Sequence, residues 1–283
     1  MMSRTALLMA SVLIFASSPG PAQIPTFSTK TEEVIIDVLV SDEGKPVLGL
    51  RPSDFEVYDN GVAQRIKFAA LERIPVNAIL ALDTSQSVAG QLLARLKRAG
   101  SSFLDALKPD ERAALVTFGH QVELRSPLTS DFRQVRAALQ QTRPYGDTSV
   151  IDATYAGLVL AESGPGRALL VVFSDGIDTS SWLTSEAVLD AARSSQTVVY
   201  AVTAGGPRKT FLNDIAEITG GSAFRVDPDS KLEAVFLAIL EEFRQRYLVT
   251  YSPLSASRAG WHRLKVVVKG QDYKVKARQG YLR

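Results

Sequence analysis

Two carboxylates and three hydroxyls carry the chemical interest of this sequence: Asp83, Ser85, Ser87, Thr148 and Asp175. The first three stand in the run Asp83-Thr84-Ser85-Gln86-Ser87, directly after the apolar stretch 77–82. Thr148 lies in Gly146-Asp147-Thr148-Ser149, and Asp175 follows a second apolar stretch, 168–174, ahead of Gly176. An apolar stretch that ends in such residues reads as a buried strand with a polar loop at its carboxyl end. Three loops of this kind above one sheet gather an all-oxygen donor set, the set suited to a hard divalent cation such as Mg²⁺. Mg²⁺ takes near-octahedral oxygen geometry at ~2.0–2.1 Å and keeps several waters. Neutral hydroxyls leave much of its charge uncompensated, so one outside carboxylate is strongly attracted to it. Taken singly, each of the five reads equally well as a turn or cap residue, since Asp, Ser and Thr are favoured at helix N-termini.

The elements that must position these loops alternate along the chain. Apolar stretches at 77–82, 113–118, 168–173 and 197–202 are nearly continuous, as strands covered on both faces are. Leu92, Leu96, Ala99, Phe103 and Leu107 recur at helical spacing as far as Lys108-Pro109-Asp110. Further helices are marked by Phe132, Val135 and Leu139, by Ala187, Val188, Ala191 and Ala192, and by Leu232, Val235, Phe236, Ile239, Leu240 and Phe243. Another spans 211–219 and stops at Gly220-Gly221. Residues 122–128 follow Phe118 after too few residues for a parallel crossover, which predicts an antiparallel edge strand. The pattern predicts an α/β fold with a doubly wound, mostly parallel sheet. The loops then lie at the carboxyl ends of the strands, where open sheets bind ligands.

Both flanks read as β. Val34, Ile36, Val38 and Val40 alternate, and stretches 55–58 and 65–68 flank Asp59-Asn60-Gly61, a hairpin signal. Stretches 246–251, 261–269 and 274–278 alternate in the tail. Neither flank has the apolar residues for a core of its own. The expected organisation is an N-terminal β segment (30–74), an α/β domain (75–246) and a C-terminal β segment (247–283), the two β segments pairing into one small domain. At the start, Arg4, the apolar run 6–16 and Ser17-Ser18-Pro19-Gly20-Pro21-Ala22 read as an export signal covering 1–22. The run is short of the ~20 residues a membrane-spanning helix needs, so a secreted or periplasmic protein without a membrane span is expected after cleavage.

Composition narrows the chemistry. Hydrophobic residues make up 46% and charged residues 22%, as in a globular protein with a full core. The 32 basic and 30 acidic residues leave a net charge of +2 with no basic block, which gives no basis for nucleic-acid binding. There is no cysteine, hence no disulfide, thiolate metal site or cysteine nucleophile. The two histidines, His120 and His262, come without a Gly-x-Ser-x-Gly elbow and are too few for a zinc site. The enzymatic rival is phosphoryl transfer with Asp83 as nucleophile beside Mg²⁺. The dehalogenase-type pattern for that chemistry needs Asp-x-Asp, and this chain reads Asp83-Thr84-Ser85.

The ordered set Asp-x-Ser-x-Ser, Gly-Asp-Thr-Ser and Ser-Asp-Gly resembles the metal-ion-dependent adhesion site (MIDAS) of von Willebrand factor type A domains. The resemblance covers residues 75–245 and matches at all five positions. It implies a non-enzymatic binding protein that holds Mg²⁺ (or Mn²⁺) and takes an exposed Asp or Glu of a partner protein. An assembly role with a purely fold-stabilising metal is the alternative. Family members usually read Gly-Gly-Thr in the second loop. Asp147 here either adds charge near the ion or is solvated. The flanking motifs Ser41-Asp42-Glu43-Gly44-Lys45-Pro46, Asp54-Phe55-Glu56-Val57 and Arg278-Gln279-Gly280-Tyr281 resemble VWFA-related proteins of Acidobacteria. Nearby, Asp178 reads as a loop acid or a support for the metal ligands, and Asp152 as an acid suited to a helix start. Trp182 and Tyr145 read either as interface anchors or as rings packed on their own domain. The oligomeric state is left open.

Overall fold

The computed structural model describes residues 33–205, 210–227, 230–254 and 259–282. The expected export signal, 1–22, lies outside the described residues. No helix among them is long and apolar enough to cross a membrane.

The centre is a six-stranded sheet in the order β11-β10-β9-β6-β7-β8. Its strands are β6 (Val76–Asp83), β7 (Arg112–Phe118), β8 (Val122–Thr129), β9 (Arg167–Ser174), β10 (Val198–Ala204) and β11 (Ala223–Val226). All pairings are parallel except β7 with β8, the expected antiparallel edge. Every residue of β6 is buried. Because side chains alternate across a strand, Ala78, Leu80 and Leu82 enter one core while Ile79 and Ala81 enter the other. That two-sided burial is the cause of the continuous apolar stretches. The first core is covered by α1 (Gln91–Asp105), α2 (Phe132–Gln141) and α6 (Leu232–Arg244). The second is covered by α3 (Val150–Ala161), α4 (Ser185–Ser194) and α5 (Thr210–Ile218). This is an α/β fold of the expected doubly wound class.

The remaining strands form two smaller sheets. One has the order β14-β1-β12-β5, with β2 beside β1, and the other β15-β13-β3-β4. Their strands are β1 (Val34–Asp42), β2 (Lys45–Pro46), β3 (Phe55–Asp59), β4 (Val62–Gln64), β5 (Ile66–Ala70), β12 (Tyr247–Tyr251), β13 (Trp261–Val268), β14 (Lys274–Lys276) and β15 (Gly280–Leu282). Residues of both sheets share one core, with Ile36, Val38, Phe55, Val57, Val249 and Leu264 at its centre. The two chain ends thus interleave: β1 pairs with β12 and β14, and β3 pairs with β13.

The hairpin differs from the sequence reading. Asn60 (φ 49°) and Gly61 (φ 82°) form the tight turn, but they join β3 to the short β4. The stretch read as the second arm, 65–68, instead enters β5 and pairs with β12 in the other sheet, where Ala69 reaches the shared core. A three-residue strand is enough to close the hairpin, and the next apolar pair is drawn to the larger burial.

Candidate metal centre

β6 delivers Asp83 to the carboxyl edge of the central sheet with a side chain that is 0% exposed. There the chain turns on its own aspartate: the Ser85 N–H donates to Asp83 Oδ1 at 2.8 Å. A single 3-10 turn, Gln86–Val88, then carries Ser87 to the surface. Ser85 Oγ and Ser87 Oγ are 2.9 Å apart, and Ser87 Oγ donates to Asp175 Oδ1 at 2.7 Å. The loops after β6 and β9 are therefore joined through side chains.

The loop bearing Thr148 is stitched to the first by backbone. Tyr145 N–H donates to Thr84 O at 2.7 Å, and Gln86 N–H to Gly146 O at 3.0 Å. Ser149 anchors the other end, donating from N and Oγ to Gly119 O at 2.9 and 2.8 Å. The fit leaves no room at Gly119, where a Cβ would lie 2.2 Å from Tyr145 O. At Gly176 a Cβ would lie 3.0 Å from Thr148 Oγ1, which places the buried Thr148 hydroxyl against the third loop. Ser85, Ser87 and Asp175 are thus linked to Asp83 by hydrogen bonds, and the Thr148 hydroxyl lies against the third loop beside them.

The charge at this point is unbalanced. Burial pushes the Asp83 carboxyl above its ordinary pKa, and the nearby Asp175 charge pushes the same way. Hydrogen bonds from Ser85 and Ser174 oppose the shift without cancelling it. Among the described residues, the ion pairs lie elsewhere, and none reaches Asp83 or Asp175. The donor set fits a small hard cation. Two carboxylates with hydroxyls and no histidine or thiolate make an all-oxygen donor set, suited to hard rather than soft cations.

Several supporting residues carry no motif of their own. Ser174 Oγ donates to Asp83 Oδ2 at 2.8 Å, so both oxygens of that carboxylate are engaged. In the sequence Ser174 is only the end of an apolar stretch. Thr179 Oγ1 accepts the Thr148 N–H at 3.0 Å, and Thr148 O accepts from the N–H groups of Thr179 and Ser180. Asp178 caps α3, accepting from Ile151 N–H at 3.0 Å and from Ser181 Oγ at 2.6 Å. Asp152 is more than a dipole-compatible acid, since it holds the backbone of Trp182 and Leu183. Asp147 is exposed. Trp182 is 94% exposed and does not pack on its own domain, whereas Tyr145 is half-buried and sets its ring edge-on to His120. His262 is far from a surface role: it is buried in the β sandwich and bonded to Asp59 at 2.8 Å.

Residues 78–178 match the sequence profile of the von Willebrand factor type A domain. The chain is 27% identical over 201 residues to a UPF0353 protein of Mycolicibacterium paratuberculosis, a match that covers 58% of this chain and 60% of that relative's length. Among solved structures, a von Willebrand factor type A protein from Catenulispora acidiphila superposes with a TM-score of 0.55 at 10% identity, over 90% of this chain and 75% of the other. Proximal thread matrix protein 1 from the mussel byssus, solved with a zinc-occupied MIDAS motif, superposes with a TM-score of 0.52 at 16% identity, over 64% of this chain and 48% of the other. At these identities the structural likeness is one of fold.

Proposed function

From the premise that this chain carries a von Willebrand factor type A domain, we propose that it is an exported binding protein whose metal centre captures an acidic side chain of a partner protein. Asp83, Ser85, Ser87, Thr148 and Asp175 would hold Mg²⁺ (or Mn²⁺). The cation, when bound, supplies a coordination position for the partner's Asp or Glu oxygen. The rest is done by this chain's own groups. Ser174 and the Ser85 N–H fix the Asp83 carboxylate, and the first loop holds the Ser85 and Ser87 hydroxyls 2.9 Å apart before any ligand arrives.

The observation that carries this reading is the linked run Asp83–Ser85–Ser87–Asp175, two carboxylates joined through the Ser85 N–H and the Ser85 and Ser87 hydroxyls, with no ion pair to the buried one among the described residues. The zinc-occupied motif of the mussel protein is in keeping with it. Binding is favoured over catalysis because Asp83 is fully buried with both oxygens engaged, a poor position for an attacking nucleophile. Export rests on the pattern of residues 1–22.

The test is a calorimetric titration of Mg²⁺ and Mn²⁺ into the wild type and into Asp175→Ala and Thr148→Ala. Capture of partners from envelope and supernatant extracts follows, in Mg²⁺, in EDTA, and with Asp83→Ala. Metal binding lost in the variants, with partner retention that needs both metal and Asp83, is the expected result. A chelator that lowers the melting temperature but leaves partner retention intact would instead assign the metal a fold-stabilising role.

A further inference from the structure

The metal centre has apolar surface on two sides, and the two sides belong to opposite faces of the sheet. On the α1/α6 face, a cleft of about 370 Å³ opens beside Asp175. Its apolar wall is made by Leu92, Ala204, Val226 and Leu232, while Gln91, Arg95 and Asp227 give it a polar rim. The volume falls in the range of small-ligand pockets, and one large side chain fits within it. On the α3 face, the loop that begins at Asp175 displays Ile177, 65% exposed, and Trp182, 94% exposed. Asp175 belongs to both surfaces, since it lines the cleft and starts the loop.

The Trp182 loop is not a slack connection. Thr148 O binds the N–H groups of Thr179 and Ser180, Asp178 binds Ser181, and Asp152 binds Trp182 and Leu183. Five consecutive backbone N–H groups, 179–183, are thus tied down, four of them by Thr148 and Asp152 and the fifth by Asp178, while the Trp182 side chain is left almost wholly in solvent. A tryptophan held out on a fixed backbone loses little entropy when covered, which is the physical profile of an interface anchor.

Resting on the proposed capture of an acidic side chain, we infer that the partner presents that acid in an extended segment between two apolar residues. One apolar side chain enters the cleft beside Asp175 and the other lies against Trp182 and Ile177. The acid is demanded by the cation site. The apolar flanks are demanded by surface that is otherwise wasted in water on either side of it. The metal site supplies affinity for any exposed carboxylate, and the two flanks supply the choice among carboxylates.

The experiment uses the full chain and an array of synthetic nine-residue peptides with a central Asp or Glu. The flanking positions are set to Leu, Phe, Ser or Lys, and the array is probed in Mg²⁺ and in EDTA. Trp182→Ala and Gln91→Trp are run beside the wild type. Both substitutions fall at exposed positions, and the second fills the mouth of the cleft. The expected result is Mg²⁺-dependent binding, strongest with apolar residues on both flanks. Each variant weakens those peptides by about tenfold or more, with Ser-flanked peptides and calorimetric Mg²⁺ binding unchanged. Mg²⁺-dependent binding that ignores the flanks and both variants overturns this inference alone. Mg²⁺ binding without retention of any acid-centred peptide overturns carboxylate capture and this inference together. Absence of Mg²⁺ binding overturns the metal reading beneath both.

Discussion

Asp152 holds Trp182 from inside the domain: its Oδ2 accepts the Trp182 N–H at 2.9 Å, and its Oδ1 accepts the Leu183 N–H at 2.9 Å. The acid stands in the first turn of α3, so it serves the helix dipole and the neighbouring loop at once. Asp152→Ala is expected to free the loop without touching the metal ligands. Amide exchange at Trp182 and Leu183 should rise by an order of magnitude or more, with calorimetric metal binding intact. Unchanged protection at those two amides would show that the loop is ordered by something else.

Metal and protein stability should be linked, with opposite signs in two forms of the protein. Saturating Mg²⁺ at about a hundredfold over its dissociation constant adds roughly 2.7 kcal/mol to unfolding. EDTA removes that increment. Asp83→Asn should abolish the Mg²⁺ effect yet leave the metal-free protein as stable as the wild type or more so, because burial already disfavours the Asp83 charge. The linkage sign agrees. A carboxyl with a raised folded pKa loses stability as pH rises above its unfolded value, so the metal-free wild type should fall behind Asp83→Asn as the solution leaves the acid range. Chemical denaturation in EDTA measures the gap. A metal-free Asp83→Asn protein clearly weaker than the wild type would mean that the carboxylate is held for stability.

The convergence of these loops is legible in the sequence because the candidate residues are grouped in short motifs at the ends of strands whose two-sided burial makes them easy to see. Asp83, Ser85 and Ser87 come from one loop, and Asp175 from a strand end of the same kind. What the sequence hides depends on distance. Asp152 reaches residues thirty positions away, and Ser174 reaches Asp83 across 91 positions. Neither has a local pattern to announce it. Within the fold, the body of α3 is hidden for the opposite reason: Val150, Ile151, Ala153, Leu158 and Ala161 bury several sides of the helix, which erases the helical period. The four-residue β11 and three-residue β15 are too short to alternate visibly, and the short β4 is equally hard to see, so that the turn signal it satisfies is assigned to the stretch of β5.

The β sandwich should be sensitive to alkali. Tyr251 OH and Tyr281 OH both donate to Asp59 Oδ2 at 2.8 Å inside it. Burial, reinforced by Tyr281 and Asp59, raises the Tyr251 phenol well above its ordinary value, and burial does the same to Tyr200 in the central sheet. Above a pH of about 10 the unfolded chain gives up phenol protons that the folded chain keeps. Stability is therefore full below that pH and falls as it is passed. Tyr251→Phe should cost roughly 1.5–3 kcal/mol at neutral pH for the lost bond to a carboxylate, and the gap to wild type should narrow above a pH of about 10. Urea unfolding from neutral pH to the alkaline limit reads both numbers. A gap that stays constant would place the alkaline transition elsewhere.

The sandwich and the central sheet are joined by a buried ion pair between Asp37 of β1 and Arg167, the first residue of β9. The Arg167 guanidinium also lies 4.6 Å from the centre of the Phe243 ring at the end of α6. With side chains 4% and 14% exposed, neither charge has water to fall back on if the other is removed. Asp37→Ala should therefore cost about 3–5 kcal/mol, most of it the penalty of an orphaned guanidinium. Replacing both, as Asp37→Leu with Arg167→Met, should cost much less, because the attraction between buried charges does little more than offset their desolvation. A double-mutant cycle by urea unfolding separates the two effects. If Asp37→Ala alone cost less than about 1 kcal/mol, the pair would behave as a solvated surface bridge. The central sheet would then be anchored to the sandwich by Arg246 instead, whose guanidinium reaches Tyr200, Gly220 and the backbone of Asp37.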